Sequence, residues 1–234
     1  MKFFIISKKT LYIIFTIILV VIILFGTIWN YSRTIDVFNS DIYYQGTKEE
    51  KIVALACNID WGNEYIDEML NIFKDNEIKI TFFPTGRWAE NNSDILLKIY
   101  NAGHEIGNHG YRHLDYDKLD YNTNYSEIDT AHKIIEDIIN ESPKYFSPPS
   151  GAFNESTIKA ADDLGYKTIL WSVDTIDWRK DSYKDIIVNR VVEKIHDSAI
   201  VLMHPTGETN KALPEIINNL FQKGYRIGTI SDVM

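Results

Sequence analysis

Residues 51–84 read KIVALACNIDWGNEYIDEMLNIFKDNEIKITFFP. Ile52–Asn58 is a short apolar run, the pattern of a buried strand. Ile66, Met69, Leu70 and Phe73 then recur at helical spacing, which puts one apolar helix face over a sheet. Lys79–Pro84, rich in β-branched and aromatic residues, is a second strand. Strand, helix and strand in such close succession form the unit from which parallel sheets are built.

The alternation continues to the C-terminus. Ser93–Ala102 reads as a helix, with Ser93 as its N-cap and Gly103 just past its end. His104–Gly107 is strand-like. Ile128, Ala131, Ile135 and Ile138 mark a longer helix, and Pro143 lies beyond it. Lys144–Ser147 is a short strand. Asn154 caps a helix that runs to Leu164 and stops at Gly165. Lys167–Val173 is a strand, Ile187 and Val191 share a helix face, and Ala199–Met203 is a strand. Leu213–Lys223 is a helix with Pro214 in its first turn, and Arg226–Ile230 is the last strand. About seven strands alternating with helices predict an α/β fold whose parallel sheet is doubly wound or closed as a barrel. Both architectures place their chemistry at the C-terminal ends of the strands.

The N-terminus is of another kind. Leu11–Trp29 is apolar apart from Thr16, Gly26 and Thr27, and carries no charge. That length suits a helix crossing a hydrocarbon core of about 30 Å. A removable signal peptide has a shorter apolar region of about 7–15 residues and a small-x-small cleavage site, whereas this run ends in Ile28-Trp29-Asn30-Tyr31. Lys2, Lys8 and Lys9 precede it and only Arg33 follows closely. The expectation is a single-pass signal anchor over residues 1–30, with its helix at 11–29, the N-terminus in the cytoplasm and the remainder outside. Residues 31–50 show no sustained period and read as a tether with one short element at Ile42–Tyr44. Residues 51–234 form the main domain.

The 234 residues carry a net charge of −9, and nothing resembles the basic stripe of a nucleic-acid binder. The single cysteine, Cys57, excludes an internal disulfide and reads as a buried core thiol.

Polar and unusual residues collect where the strands finish. Asn58 and Asp60 follow the first strand, and His109-Gly110-Tyr111-Arg112-His113 follows the third. On a helical turn, that histidine spacing puts both imidazoles on one face, within reach of one cation. Pro148-Pro149-Ser150-Gly151 follows the fourth strand, Asp174, Asp177 and Trp178 the fifth, and His204 the sixth.

These stretches resemble the polysaccharide deacetylase family, the NodB homology domain of carbohydrate esterase family 4. The resemblance runs from about Lys51 to the C-terminus. Four of the family's five motifs occur in order: His109 to His113, Ser147-Pro148-Pro149-Ser150-Gly151, Asp174-Thr175-Ile176-Asp177-Trp178, and Leu202-Met203-His204. The family implies a distorted (β/α) barrel of about seven parallel strands, and hydrolysis of N-acetyl groups on amino sugars assisted by a divalent transition metal.

The first motif departs from the family's Thr-Phe-Asp-Asp-Gly. Aligned from the strand, Asn58 stands at the base position and Ile59 at the ligand position. Aligned back from Gly62, Asp60 takes the base position and Trp61 the ligand position. Either way one carboxylate, Asp60, remains where the family has two. The stretch Asn58–Glu64 resembles a variant of sporulation- and envelope-associated members. Ser147 stands where the family has an arginine that orients the base.

The resemblance implies these roles. His109, His113 and Asp60 are the ligands of Zn²⁺, with Co, Ni, Mn or Fe as alternatives. Asp60 is also the candidate base. His204 protonates the departing amine, and Asp177 holds that histidine protonated. Backbone N–H groups near Pro149 and Ser150 receive the oxyanion. Trp178 and Leu202 form an apolar wall for the acetyl methyl. The partner is an N-acetylated wall polysaccharide, peptidoglycan or chitin-like, and the protein acts as a monomer. Plainer readings stand beside these: Asp174 as a cap, Trp178 as core, His104 as structural, and His132 and His196 as solvated. The missing carboxylate and arginine motivate a second function, a catalytically impaired glycan-binding protein at the cell surface. The same chemistry on a small non-sugar amide is a third.

The anchor has its own test. Protease shaving of intact cells is expected to remove the domain from about Lys51 and leave a small membrane-held fragment. A soluble mature form starting near Asn30 is the contrary result.

Overall fold

The structure is a computed structural model that describes residues 8–38 and 42–234. The chain divides into two units, residues 1–40 and 41–234. The first holds α1 (Lys8–Phe38), whose apolar side chains from Ile14 to Phe25 are exposed. Among the described residues no helix is long and apolar enough to cross a membrane. The side chains of Leu11, Ile13 and residues 27–29, part of the expected anchor, lie outside those described.

The second unit runs β1 (Ile42–Tyr43), β2 (Ile52–Ile59), α2 (Asn63–Asp75), β3 (Thr81–Pro84), α3 (Gly86–Asn91), α4 (Ser93–Asn101) and β4 (Glu105–Ile106). It continues with α5 (Tyr121–Ile139), β5 (Tyr145–Phe146), α6 (Glu155–Asp163), β6 (Lys167–Ile169), β7 (Val173–Asp174) and α7 (Lys184–Lys194). The chain ends with β8 (Ile200–Met203), α8 (Gly207–Gln222), β9 (Arg226–Gly228) and α9 (Ile230–Val233).

One sheet is ordered β4-β3-β2-β8-β7, with β9 also paired to β2; a smaller sheet is ordered β1-β6-β5. Every strand pair is parallel. A parallel bridge from Asn108 to Phe146 joins the larger sheet to the smaller, and an antiparallel bridge joins Gln45 to Ala199. The result is the distorted barrel.

The central strand is β2, in which every residue is buried. Its side chains alternate between two apolar regions, as the period of a strand requires. Val53, Leu55, Cys57 and Ile59 point outward into a core shared with Ile66, Met69 and Phe73 of α2 and with Ile216 and Leu220 of α8. Ile52, Ala54 and Ala56 point inward and meet Phe83, Tyr145, Ile169 and Ile200. The small side chains of Ala54 and Ala56 leave room for those larger inward ones. A strand covered on both faces reads as a continuous apolar run, which is why β2 stands out in the sequence.

Several boundaries differ from the sequence reading. The strand expected over Lys167–Val173 splits in two. Its first half pairs with β1 and β5, and its second half turns to pair with β8. The helix expected from Leu213 begins at Gly207, where the Thr206 side chain accepts from the N–H of Thr209. Pro214 therefore lies inside α8 rather than in its first turn. Asn92, not Ser93, is the N-cap of α4. The last strand ends at Gly228, because a capping box between Thr229 and Asp232 starts α9 at Ile230. Asn154 does cap α6, in a capping box with Thr157.

Cys57 is fully buried, its Sγ 3.9 Å from the sulfur of Met69. Burial, and then the charge of Asp177, pushes its thiol well above the ordinary range. Native protein at mildly alkaline pH is therefore expected to leave a disulfide-type thiol reagent unconsumed. After denaturation one equivalent per chain reacts. Rapid native labelling would contradict the burial.

Candidate active site

A cavity of about 450 Å³ opens at the C-terminal rim of the barrel. Its walls come from the ends of six strands, β6 with Trp171 and β7 with Asp174 among them. Asn58 and Trp61 follow or end β2, His109 and His113 follow β4, Ser150 follows β5, and Leu202 and His204 end or follow β8.

The loop that carries the two histidines is irregular, not the helical turn that their spacing suggested. Gly110 has φ +73°, in the left-handed region, and a Cβ there would lie 1.8 Å from the Tyr116 hydroxyl oxygen. Only glycine fits both demands. Neighbouring groups pin the loop. Asn108 Oδ1 accepts from the Gly110 N–H, and its Nδ2 donates to the Ile128 carbonyl and the Tyr166 hydroxyl. Glu127 accepts from the Arg112 backbone and guanidinium. The N–H groups of Gly86 and Arg87, at the start of α3, donate to the carbonyls of Gly110 and Tyr111.

The two imidazoles nevertheless meet, ring centres 5.4 Å apart. His109 is buried, and its Nδ1–H donates to the Ser147 carbonyl at 2.6 Å, which leaves Nε2 as the lone-pair nitrogen. Burial, with help from the neighbouring His113 and His204 charges, lowers its pKa to about 3 against the opposing Ser147 hydrogen bond. His109 is thus a neutral donor at physiological pH. Ser147, which replaces the expected arginine, contributes through its backbone.

On the opposite wall three donors converge on Asp177. His204 Nδ1–H donates to Oδ1 at 2.8 Å, and the His204 backbone N–H donates to Oδ2 at 2.7 Å. The Thr209 hydroxyl also donates to Oδ2, at 2.6 Å. The Asp177 side chain is wholly buried, and Ile176 before it takes the left-handed φ of 53°. This clamp fixes the tautomer of His204 and leaves its Nε2 for the cavity. Trp61 lies parallel to the His204 ring, centres 6.1 Å apart and planes at 5°. Gly62 makes that approach possible: a Cβ there would stand 2.2 Å from the Pro205 carbonyl oxygen.

The alternation of β2 divides the residues of the first motif between its two faces. Asn58 follows Ala54 and Ala56 on the inward face and reaches the cavity, where it is 4% exposed. Its Oδ1 has no hydrogen-bond partner. Ile59 points outward into the core at 0% exposure and offers no donor atom. Asp60 lies on the rim and lines the cavity, but its carboxylate is already engaged. The Thr85 hydroxyl donates to it at 2.7 Å and Arg87 pairs with it at 3.3 Å.

A metal centre at this position would draw on His109 and His113. Catalytic metals generally take three protein ligands and keep an open position. Among the described residues no three His, Cys, Asp or Glu side chains come together as a metal-holding group. The expected third ligand, Asp60, is turned to Thr85 and Arg87 instead, and Ile59 has nothing to coordinate with. The donor set present does not complete the expected zinc site.

The other expected residues divide. Ser150 and Leu202 line the cavity, Ser150 with φ 57°. Pro149 is buried in the same loop. Trp178 lines the cavity and is 57% exposed, so it is a rim residue and not core. Asp174 also lines it, while its Oδ1 accepts from the Ile176 N–H, a turn role as well. His104 is structural: it is buried, accepts from the Ile80 N–H, and packs edge-on against Phe73 and Phe82. Burial lowers its pKa to about 4. His132, expected to be solvated, is half-buried and bonded to the Tyr166 hydroxyl at 2.6 Å. The sequence reading missed Trp171 in the cavity wall, Thr209 beneath Asp177, and Thr85 and Arg87 on Asp60. Trp171 had a visible signal, an aromatic residue at a strand end three residues before the Asp-x-x-Asp-Trp motif.

Comparison with known proteins agrees with this geometry. The polysaccharide deacetylase profile matches residues 45–169. YlxY of Bacillus subtilis, a protein of uncharacterised function, is 41% identical over 82% of this chain, and the chain spans 60% of that relative's length. A peptidoglycan-N-acetylglucosamine deacetylase of Bacillus cereus is 31% identical over 82% of this chain and 92% of its own length. Among solved structures, a carbohydrate esterase family 4 pseudoenzyme from Bacillus anthracis superposes with TM-score 0.81 at 39% identity, over 83% of this chain and 69% of that one. A mutant of that pseudoenzyme, described as having restored enzymatic activity, gives the same TM-score. The chain belongs to the polysaccharide deacetylase family. The class expected from the motifs, a hydrolase of carbon–nitrogen bonds other than peptide bonds, is that of the relatives named as deacetylases.

The Asp177 clamp yields a test. In Asp177→Asn an amide N–H would face one of three donors, a mismatch worth about 1–3 kcal/mol. The variant is expected to melt at lower temperature. Imidazole ¹⁵N spectra should also show His204 released from the single Nδ1–H tautomer. Unchanged melting and an unchanged tautomer would show that the clamp is not formed.

Proposed function

We propose that this chain acts on the N-acetylated amino sugars of a cell-wall polysaccharide, peptidoglycan being the substrate class, as a slow deacetylase. The observation that carries the reading is the His204–Asp177 clamp at the rim cavity. A binding protein has no need of a histidine with a fixed tautomer and a buried carboxylate behind it. In the imidazolium state, with Nδ1–H still on Asp177, His204 protonates the departing amine from Nε2, and such acid catalysis is worth roughly 10²–10⁴-fold. Backbone groups at Ser150 and the aromatic rims of Trp61 and Trp178 hold the sugar. The water-activating half is thin, with two imidazoles, an amide at Asn58, and a carboxylate at Asp60 already engaged by Arg87. Substrate classes in the names of relatives support the choice of peptidoglycan. The proposed working unit is the single chain, whose own residues build the cavity, held at the outer face of the membrane by the apolar N-terminal segment.

A second reading has a specific observation in its favour. Asn58 at the inward end of β2 and the likeness to a family pseudoenzyme fit a glycan-binding protein without turnover.

Acetate release from N-acetylated peptidoglycan strands separates the two. Wild type is expected to release acetate slowly, His204→Ala to lose roughly 10²–10⁴ of that rate, and Asn58→Asp to exceed wild type. No acetate from wild type under any metal supplement, with acetate from Asn58→Asp, would establish the second reading.

A further inference from the structure

We propose that Thr209 is a positioning residue for His204, supplied by a helix start that diverts one of its own capping groups to the site. The proposal rests on the reading of His204 as the group that meets the departing amine.

Three helix starts show the diversion. In α6 the N-cap is Asn154, and the hydroxyl of Thr157, three residues on, accepts from the Asn154 N–H. In α9 the carboxylate of Asp232 accepts in the same way from the Thr229 N–H. Both are complete capping boxes. α8 begins alike, with the Thr206 side chain accepting from the Thr209 N–H at 2.9 Å. Its third residue is again a threonine, the residue type that closes the box in α6. The Thr209 hydroxyl turns to Asp177 instead and donates to Oδ2 at 2.6 Å. Thr209 is fully buried, where an unmet hydroxyl is unfavourable.

The direction of the hydrogen bonds follows. A carboxylate only accepts, so the Thr209 proton lies toward Asp177. The Thr209 oxygen stands 2.8 Å from the Thr206 hydroxyl, and Thr206 is then the donor of that pair. The chain runs one way, from Thr206 O–H to Thr209 O–H to Asp177 Oδ2. Hydroxyls linked in this manner polarise one another and strengthen the last bond.

That last bond fixes the acid pair. Oδ2 takes the Thr209 hydroxyl and the His204 N–H, which leaves Oδ1 for the imidazole. Among the described residues the other donors to this carboxylate both belong to His204. Thr209 reaches it from another element and holds carboxylate and imidazole against turning together. The direction of His204 Nε2 in the cavity thereby depends on the first turn of α8.

The test compares Thr209→Val, close in shape and without the hydroxyl, with Thr209→Ser, which keeps it. Imidazole ¹⁵N spectra of the full chain read the His204 tautomer, and acetate release from N-acetylated peptidoglycan strands reads the rate. Thr209→Val is expected to populate both tautomers and to lower kcat about 10²-fold at unchanged KM, the effect of a slightly misplaced reacting group. Thr209→Ser is expected to recover the single tautomer and most of kcat. Thr229→Val, which breaks the box of α9 outside the cavity, is expected to lower the melting temperature and leave tautomer and kcat alone. A wild-type tautomer in Thr209→Val, a loss that Thr209→Ser does not repair, or an equal loss in Thr229→Val overturns the proposal. Should Thr209→Val fail to fold, Thr206→Val removes the first donor of the chain: a mixed His204 tautomer there supports the proposal, and an unchanged one overturns it. No acetate from wild type sinks the proposed turnover alone, and the tautomer still decides the role of Thr209.

Discussion

The period of one strand governs this site. β2 is paired along both edges and covered on both faces, so its register cannot slip by a residue without moving every apolar side chain to the wrong region. That constraint sends Cys57 and Ile59 to the helices and Asn58 to the cavity. The two alignments of the first motif differ in what they rest on: counting from the strand follows a rigid register, and counting back from Gly62 crosses a turn whose geometry the strand does not set. Asp60 falls beyond the last paired residue, and its carboxylate is held by Thr85 and Arg87 at the start of α3.

The rim combines two kinds of rigidity. On one side the loop of His109 is irregular but pinned, its backbone groups answered by Asn108, Glu127 and the first turn of α3. On the other side a buried carboxylate ties the end of β8 to the loop after β7 and to the start of α8. Non-glycine residues with left-handed backbone occur on both sides, Ser150 in the proline loop and Ile176 before Asp177. Such conformations persist where their surroundings fix them, and they commonly mark sites that bind or react.

Much of this was legible in the sequence. The apolar run of β2, the helical spacing of Ile66 to Phe73, the cap at Asn154 and the polar strand ends all follow from local rules, and local rules suffice for element type and order. What stayed hidden depends on partners distant in the chain. The break between β6 and β7 comes from a change of neighbouring strand. Pro214 falls within α8 because a threonine cap seven residues before Leu213 starts the helix early. The histidine pair converges without a helix because Tyr116 crowds Gly110. Asp60 looked like a free ligand because nothing near it in sequence announces Arg87.

The outward burial of Ile59 bears on how such a chain can change over time. Codons for asparagine and aspartate differ in a single base, so position 58 is one mutation away from a carboxylate facing the cavity. Isoleucine and aspartate codons differ in two bases, and a carboxylate in place of Ile59 would leave its charge among Val53, Leu55 and Ile66 unless the turn after it were rebuilt. Gain and loss of the two acidic groups are therefore unequal steps. A carboxylate at position 58 would face the cavity, whereas one at position 59 would stand inside the closed core until the turn after it were rebuilt.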